Sequence, residues 1–341
     1  MFCFQLHSIS IRIKSNDKAR SKIPSKCQLN NQGTLTTNQI HPHLFTLKRQ
    51  TTMNNLRSIE RIIAPPAPHW VGNAFRVHNF FPGTLEMKRM SPFFLLDYGA
   101  KLDFPPSNAP RGVGVHPHRG FETVTIAYHG KVAHHDSAGH SGVIEEGDVQ
   151  WMTAASGVLH KEYQEEAWSK KGGLVQMAQL WVNLPARNKM DAPKYQALKH
   201  ADFEKYMYPD QKATVEVIAG DYNGKKGIAS TFTPIEMYNV RVKNGAEVPF
   251  SFPKNYNTGF LVIEGNVIIN DKEVPTDYFV LFANDGTDIQ LKSEEDAVVL
   301  VLSGEPINEP IESYGPFVMN TRQEILQAYE DLDKGKFGYL E

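Results

Sequence analysis

The residues that decide the fold are His116-Pro117-His118-Arg119-Gly120-Phe121-Glu122. A second motif with the same kinds of side chain follows some forty residues later, at Gly157-Val158-Leu159-His160-Lys161-Glu162. Residues two apart on a β-strand project to the same face, so His116 with His118, and His160 with Glu162, each offer two donors to one point. Three imidazoles and one carboxylate can then converge on a metal ion. The competing interpretation is that His116 and His118 lie at the edge of a sheet and bind no metal. Pro117 between them is consistent with an edge strand or with the first residue of a strand.

The donor set predicts a catalytic rather than a structural metal site. Imidazole and carboxylate without thiolate favour Fe, Mn, Ni, Cu or Zn over Ca or Mg. Four protein ligands around a six-coordinate ion such as Fe(II) leave positions for water, dioxygen or substrate, whereas structural zinc is usually closed by four protein ligands. We therefore expect one divalent transition metal, Fe(II) before Mn, Ni, Cu or Zn.

Composition bounds the class of protein. The 341 residues include 41% hydrophobic and 22% charged side chains, which is ordinary for a globular protein of one or two domains. A net charge of -2 provides no basic field, so we expect no direct nucleic-acid partner. Both cysteines, Cys3 and Cys27, lie near the start, which excludes a disulfide framework and cysteine zinc sites from the rest of the chain.

Residues 1–52 differ in composition from the rest of the chain, because they contain many Lys and Arg but a single acidic residue, Asp17. A basic, acid-poor leader is typical of an organellar transit peptide, and its broken apolar pattern argues against a secretory signal or a membrane span. The alternative is a disordered leader before a natural start at Met53. We favour that alternative, and expect a cytoplasmic protein with no membrane association.

From Ile59 onward the pattern is all-β. Short apolar runs, such as residues 93–96 and 174–182, are separated by Gly, Pro, Asp and Asn without alternating helices. The same pattern returns from Thr214. Near the end, Thr321-Arg322-Gln323-Glu324 forms a capping box, which predicts a short helix over residues 322–332 that packs on the last sheet.

We expect a leader at residues 1–52, an N-terminal domain with the metal at 53–184, a linker at 185–210 and a C-terminal domain at 211–341. No histidine occurs after His200, so the C-terminal domain lacks the imidazoles for a matching metal centre. It is expected to be structural, a lid or an interaction surface.

Several motifs resemble the cupin superfamily. Gly112-x-x-x-His116-x-His118-x-x-x-Glu122 is similar to the first cupin motif, and Gly147-Asp148 through Gly157-x-x-His160 to the second. More narrowly, residues 116–124, 139–142, 147–154 and 157–162 look like the pirin family. The resemblance implies a bicupin, with two tandem β-barrels of the double-stranded β-helix or jelly-roll type and the metal in the first.

The resemblance also bears on the choice of carboxylate. General cupins would use Glu122 as a ligand, whereas pirins use the Glu two residues after the last His, here Glu162. We prefer Glu162, because it shares a strand face with His160. The expected ligands are His116, His118, His160 and Glu162. Glu122 is expected to bind no metal itself and to orient one of the imidazoles through a hydrogen bond.

A second group of histidines, His129, His134, His135 and His140, surrounds Asp136. A second metal site is one interpretation. We favour a solvated loop after the turn at Gly130, since the sequence there is irregular and no strand aims the side chains.

The resemblance implies a flavonol 2,3-dioxygenase of the quercetinase type, with the flavonol and dioxygen as substrates, carbon monoxide as a product and Glu162 as general base. A second interpretation is a non-enzymatic iron-binding regulator that contacts transcription-related proteins. A third, weaker one is an isomerase of sugars or small acids that uses Zn or Mn. The pattern favours neither a monomer nor a dimer.

Overall fold

The structure is a computed structural model that describes residues 55–341, so the expected leader at residues 1–52 lies outside the described residues. The first part of the described chain contains, in order, β1 (Ile59–Ile63), β2 (His69–Val71), β3 (Phe75–Phe81), β4 (Phe93–Phe104), β5 (Gly112–His118), β6 (Phe121–His129), β7 (Val132–Asp136), β8 (Ser141–Ile144), β9 (Val149–Thr153), β10 (Val158–Gln164), α1 (Glu166–Lys171), β11 (Gly173–Asn183) and β12 (Lys194–Leu198).

The second part contains β13 (Glu204–Met207), β14 (Ala213–Ala219), β15 (Asp221–Tyr222), β16 (Lys225–Lys226), β17 (Ile235–Val242), β18 (Ala246–Ser251), β19 (Asn257–Glu264), β20 (Val267–Ile269), β21 (Lys272–Val274), β22 (Phe279–Phe282), β23 (Asp288–Ser293), β24 (Ala297–Gly304), β25 (Glu312–Tyr314), β26 (Phe317–Met319) and α2 (Arg322–Asp333). Short 3₁₀ turns at Ala186–Asn188 and His200–Asp202 flank β12.

Each half of the molecule pairs a seven-stranded sheet with a four-stranded sheet. The first half has the orders β12-β9-β6-β11-β4-β3-β2 and β5-β10-β7-β8, and the second has β1-β22-β19-β24-β17-β14-β13 and β18-β23-β20-β21. Neighbouring strands pair antiparallel, as β10 does with both β5 and β7. The architecture confirms the predicted all-β fold of two tandem barrels with a short C-terminal helix.

Apolar side chains from the two seven-stranded sheets form one core between the halves. Leu96, Val124 and Leu180 of the first sheet pack there with Leu281 and Leu300 of the second. These residues alternate with side chains that face the opposite way, into each barrel. The shared core therefore fixes which side chains of β6, β9 and β11 point into the first barrel.

The two barrel interiors differ in chemistry. The second is filled by apolar and aromatic side chains, with Phe250, Phe260 and Phe282 in one buried cluster. The first encloses polar side chains instead, including buried Thr125 and Gln150. Burial of polar groups costs free energy that an apolar interior would avoid. The polar interior of the first barrel therefore indicates a functional site.

Both ends of the described chain pair outside the halves expected for them. Strand β1, near the start of the described chain, pairs with β22 in the seven-stranded sheet of the second half. Phe317, near the end of the chain, forms an isolated β-bridge with Arg119 of the first half. Residues 185–210, the expected linker, contribute β12 to the first sheet and β13 to the second. The boundaries at 53–184 and 211–341 stay a prediction, and strand exchange across them ties the halves together.

The C-terminal helix begins as predicted. Thr321 and Glu324 form the reciprocal capping box at the start of α2. Its buried residues Ile325 and Ala328 pack with Phe317 of the terminal hairpin β25-β26 and lie beside Leu159 of β10. The helix therefore covers the outside of the strand that carries His160. In the described part of the chain, no helix has the length and apolar character needed to span a bilayer.

Candidate metal centre

Strand β10 is the centre of the site because it lies between β5 and β7. On one side His160 pairs with His116 of β5, and on the other Glu162 pairs with His134 of β7. Along β10 the residues at even positions are buried and the odd ones half-buried. His160 and Glu162 therefore share the inward face, as the period of two predicts.

The three predicted histidine ligands come together. The ring centroids of His116 and His160 lie 4.2 Å apart, and that of His118 lies 4.8 Å from each of them. One ring nitrogen from each lies within 4.8 Å of the others. Spacing of this kind suits three donors of one metal ion.

Hydrogen bonds orient two of these rings. His116 Nδ1 lies 2.8 Å from the carbonyl oxygen of Gly114, and His118 Nδ1 lies 3.3 Å from that of Pro316. A carbonyl oxygen only accepts, so Nδ1 carries the hydrogen in both rings. In the neutral imidazole this leaves the Nε2 lone pair free for a metal.

His160 is fully buried, and among the described residues its Nε2 has no hydrogen-bond partner. Burial, with the neighbouring imidazoles, lowers the pKa of His160 well below its usual value and that of His118 to about 3. Both rings are therefore neutral, which is the form that binds metals. An unpaired buried nitrogen among two other imidazoles fits a metal ligand and is costly otherwise.

Glu162 is buried beside this group. Its Oε1 accepts from Gln150 Nε2 at 3.1 Å and from Thr125 Oγ1 at 3.4 Å, and its Oε2 accepts from Gln179 Nε2 at 3.2 Å. The carboxylate falls into a second group of potential ligands, with His160 and His134, rather than with His116 and His118. His160 belongs to both groups, and the complete four-ligand set stays a prediction.

Glu122 lies elsewhere, so the expectation that it orients an imidazole is wrong. Its carboxylate accepts from Thr153 Oγ1 at 2.8 Å, and it shares the face of β6 that carries Val124 into the core between the sheets. Thr125, at odd spacing from Glu122, faces Glu162 instead. Burial raises the pKa of Glu122 to about 7, against the lowering effect of the Thr153 bond.

The solvated loop expected around His134 is also wrong. His134 and Asp136 lie on β7, both buried, and His134 stacks on Tyr195 with ring centroids 5.0 Å apart. The missed signal is the spacing of two in Val132-x-His134-x-Asp136, which places all three side chains on one face of a strand. His135, on the other face, contacts Tyr163 outside the barrel.

An aromatic wall, defined by Phe121 and Trp181, adjoins the histidines. The rings of Phe121 and Trp181 stack with centroids 4.3 Å apart, and Trp181 lies 5.2 Å from His118. Neither residue is assigned a role from the sequence, although Phe121 stands in the first motif, because a large aromatic side chain in a strand is ordinarily part of the core. Flat aromatic surfaces of this kind favour planar ligands.

Together, two barrels of this topology and a buried histidine-carboxylate cluster in the first define a bicupin with a site suited to a divalent metal. The residues 74–182 match the Pirin family, and residues 237–338 match the Pirin C-terminal cupin domain. The chain belongs to the pirin family, as its motifs indicated.

Known proteins similar to this chain include pirin-like proteins and proteins named as quercetin 2,3-dioxygenases. A Pseudomonas aeruginosa protein named "Putative quercetin 2,3-dioxygenase" is 47% identical over 269 residues, which span 79% of this chain and 94% of that protein. A Solanum lycopersicum pirin-like protein is 38% identical over 75% of this chain and 85% of its own length. The crystal structure of quercetin 2,3-dioxygenase from Acinetobacter baumannii superposes with a TM-score of 0.80 at 43% identity, covering 84% of this chain and 100% of that chain.

Proposed function

We propose that the protein is a metal-dependent flavonol 2,3-dioxygenase of the quercetinase type. Its ligands would be His116, His118, His160 and Glu162, with Fe(II) as the first ion to test and Mn, Ni, Cu and Zn as alternatives. The observation that carries the proposal is the buried Nε2 of His160, which has no hydrogen-bond partner within residues 55–341 and lies beside two imidazoles that are also held with Nε2 free. The names of the similar Pseudomonas and Acinetobacter proteins support the substrate class.

The residues around the site fit this chemistry. A bound ion would supply Lewis acidity that lowers the pKa of the flavonol 3-hydroxyl. Glu162 would be the general base for that proton, because its carboxylate is buried beside His160, and the three donors that it accepts from would hold it in position. The half-buried Trp181, which the fully buried Phe121 supports, would stack on the flat flavonol rings, and the barrel would exclude bulk water.

The first experiment is an aerobic assay of the Fe(II)-loaded full chain with quercetin. We expect loss of the flavonol absorption band with release of carbon monoxide. His160→Ala should lose both the metal and the activity while it stays folded, since catalytic ions contribute less to folding than structural ones. The matched control is His135→Ala, which removes an imidazole outside the barrel and should bind metal like the wild type.

Stoichiometric metal retained by His118→Ala and by His160→Ala would reject the ligand set. Absence of turnover with all five metals would reject the dioxygenase proposal without rejecting the metal centre.

The non-enzymatic regulator is a second candidate, and one contact favours it. His118 donates to the carbonyl oxygen of Pro316, two residues after Tyr314, which is 69% exposed. A change of the bound ion would therefore act on a surface hairpin that a protein partner can contact. Hydrogen exchange of residues 312–319 in the Fe(II), Fe(III) and metal-free forms tests this. Identical exchange in all three forms would contradict the regulator.

A further inference from the structure

The ligand His160 has a different neighbour from those of the other two imidazoles. His116 and His118 are each oriented by a backbone carbonyl oxygen, whereas His160 Nδ1 lies 3.4 Å from Nδ1 of His134. Two neutral rings can form that bond only if one nitrogen carries a hydrogen and the other does not. The tautomer of His134 therefore decides the tautomer of His160.

Asp136 and Gln150 determine which ring nitrogen of His134 carries the hydrogen. Its Nε2 lies 3.2 Å from Asp136 Oδ2, and a carboxylate only accepts, so Nε2 carries the hydrogen. The other carboxylate oxygen of Asp136 accepts the backbone N–H groups of Ala138 and His140, at 2.9 and 3.0 Å, which hold it in place. His134 Nδ1 is then an acceptor.

Gln150 supports the same assignment. Its Nε2 donates to Glu162 Oε1 at 3.1 Å, which identifies that atom as the amide nitrogen. Its second hydrogen is available to His134 Nδ1 at 3.3 Å, which requires Nδ1 to accept. The one lone pair of His134 Nδ1 is shared between the Gln150 amide and His160 Nδ1 at 3.4 Å. His160 Nδ1 carries the hydrogen, because two nitrogen lone pairs facing each other at that distance would repel, and Nε2 of His160 keeps its lone pair.

We propose that His134, anchored by Asp136, is a positioning residue that fixes His160 in the tautomer whose Nε2 binds the metal. The proposal rests on the proposed metal centre but not on its substrate. Without the acceptor at His134, His160 can place its hydrogen on Nε2, where binding of an ion must first remove it. Loss of such an outer partner typically weakens metal binding by about 10- to 100-fold.

The test compares three variants of the full chain. His134→Leu removes the acceptor at similar volume, and His134→Asn keeps an oxygen near the position of Nδ1. His135→Leu is the matched control, since it makes the same change on the outer face of the same strand.

Three quantities are measured for each variant: the Co(II) affinity by chelator competition, the ion count per chain and the melting temperature. Imidazole ¹⁵N shifts of the metal-free, histidine-labelled protein report the tautomer of His160, whose signal is assigned with His160→Gln.

We expect one Co(II) per chain, and wild-type affinity in His135→Leu. His134→Leu should bind about 10- to 100-fold more weakly and lose the Nδ1–H tautomer of His160, and His134→Asn should restore most of both. Wild-type affinity in His134→Leu would overturn the proposal. So would two ions in the wild type and one in His134→Leu, because His134 would then be a ligand of a second ion. If His134→Leu does not fold, His134→Asn decides, and its loss of affinity in a folded chain overturns the proposal.

These outcomes separate the two proposals. Absence of flavonol turnover leaves the affinity and the tautomer unaffected and contradicts only the dioxygenase. A wild-type chain that binds no ion would reject the metal centre and the positioning role together.

Discussion

Arg119 Nη1 lies 2.9 Å from Asp331 Oδ2, and both side chains are buried. The pair joins the residue after His118 to the last turns of α2. Arg119 also donates from Nε to the carbonyl oxygen of Ser156 at 2.7 Å, and its guanidinium lies 4.6 Å from the ring centroid of Phe337. The C-terminal segment is therefore part of the structure that holds β5, the strand of His116 and His118.

Asp331→Ala should destabilise the protein strongly, because it leaves the Arg119 guanidinium buried without its partner. Removal of one member of a buried pair typically costs about 3–5 kcal/mol. Urea denaturation should show this loss. The control is Glu330→Ala on the same helix, which breaks an exposed pair with Lys334 at 3.3 Å and should cost about 0.5 kcal/mol or less. Equal losses in the two variants would contradict the structural role of the buried pair.

Gly120→Ala should be far more damaging than Gly139→Ala. Both glycines have a positive φ, +89° and +90°, so both variants carry the same backbone strain of roughly 1–2 kcal/mol. At Gly120 the added Cβ would lie 1.9 Å from the carbonyl oxygen of Val318, whereas at Gly139 it would meet no atom within 4 Å. The melting temperature should fall a little in Gly139→Ala and much further in Gly120→Ala, and the metal content should fall in Gly120→Ala only. Similar melting temperatures would show that the Gly120–Val318 approach is unimportant.

The strands of the candidate metal centre could be predicted from the sequence because the residue pairs that identify them lie close together along the chain. His116 with His118, and His160 with Glu162, lie two residues apart, and a strand brings such pairs to one face whatever surrounds them. The capping box of Thr321 is local in the same way.

Arg119 and Gly120 could not be interpreted from the sequence, although they stand inside the same motif. Their partners, Asp331 and Val318, lie near the end of the chain, and only the return of the C-terminal segment brings them together. Glu122 illustrates a related limit. Gly120, with its positive φ, interrupts the alternation between β5 and β6, so even spacing from His118 did not place Glu122 on the ligand face.

The carboxylate assignment can be tested by isosteric substitution. Glu162→Gln should weaken Fe(II) or Co(II) binding, because it removes the negative charge beside His160, whereas Glu122→Gln should bind like the wild type. Isothermal titration of the two variants against the wild type measures the difference. The opposite pattern, weak binding in Glu122→Gln alone, would require the two carboxylates to exchange roles.

Glu122 should instead make stability depend on pH. Burial raises the pKa of its carboxyl to about 7 from the usual 4.5, so the folded protein holds this proton where the unfolded chain has released it. The free energy of unfolding should therefore fall as the pH rises from about 4.5 to above 7, by up to about 3 kcal/mol. Glu122→Gln cannot ionise and keeps an oxygen for Thr153, so it should match the wild type near pH 5 and exceed its stability at pH 8. Urea denaturation across this range, with chelator present to keep both proteins metal-free, compares them. A stability difference that stays constant from pH 5 to 8 would contradict the buried, proton-holding state of Glu122.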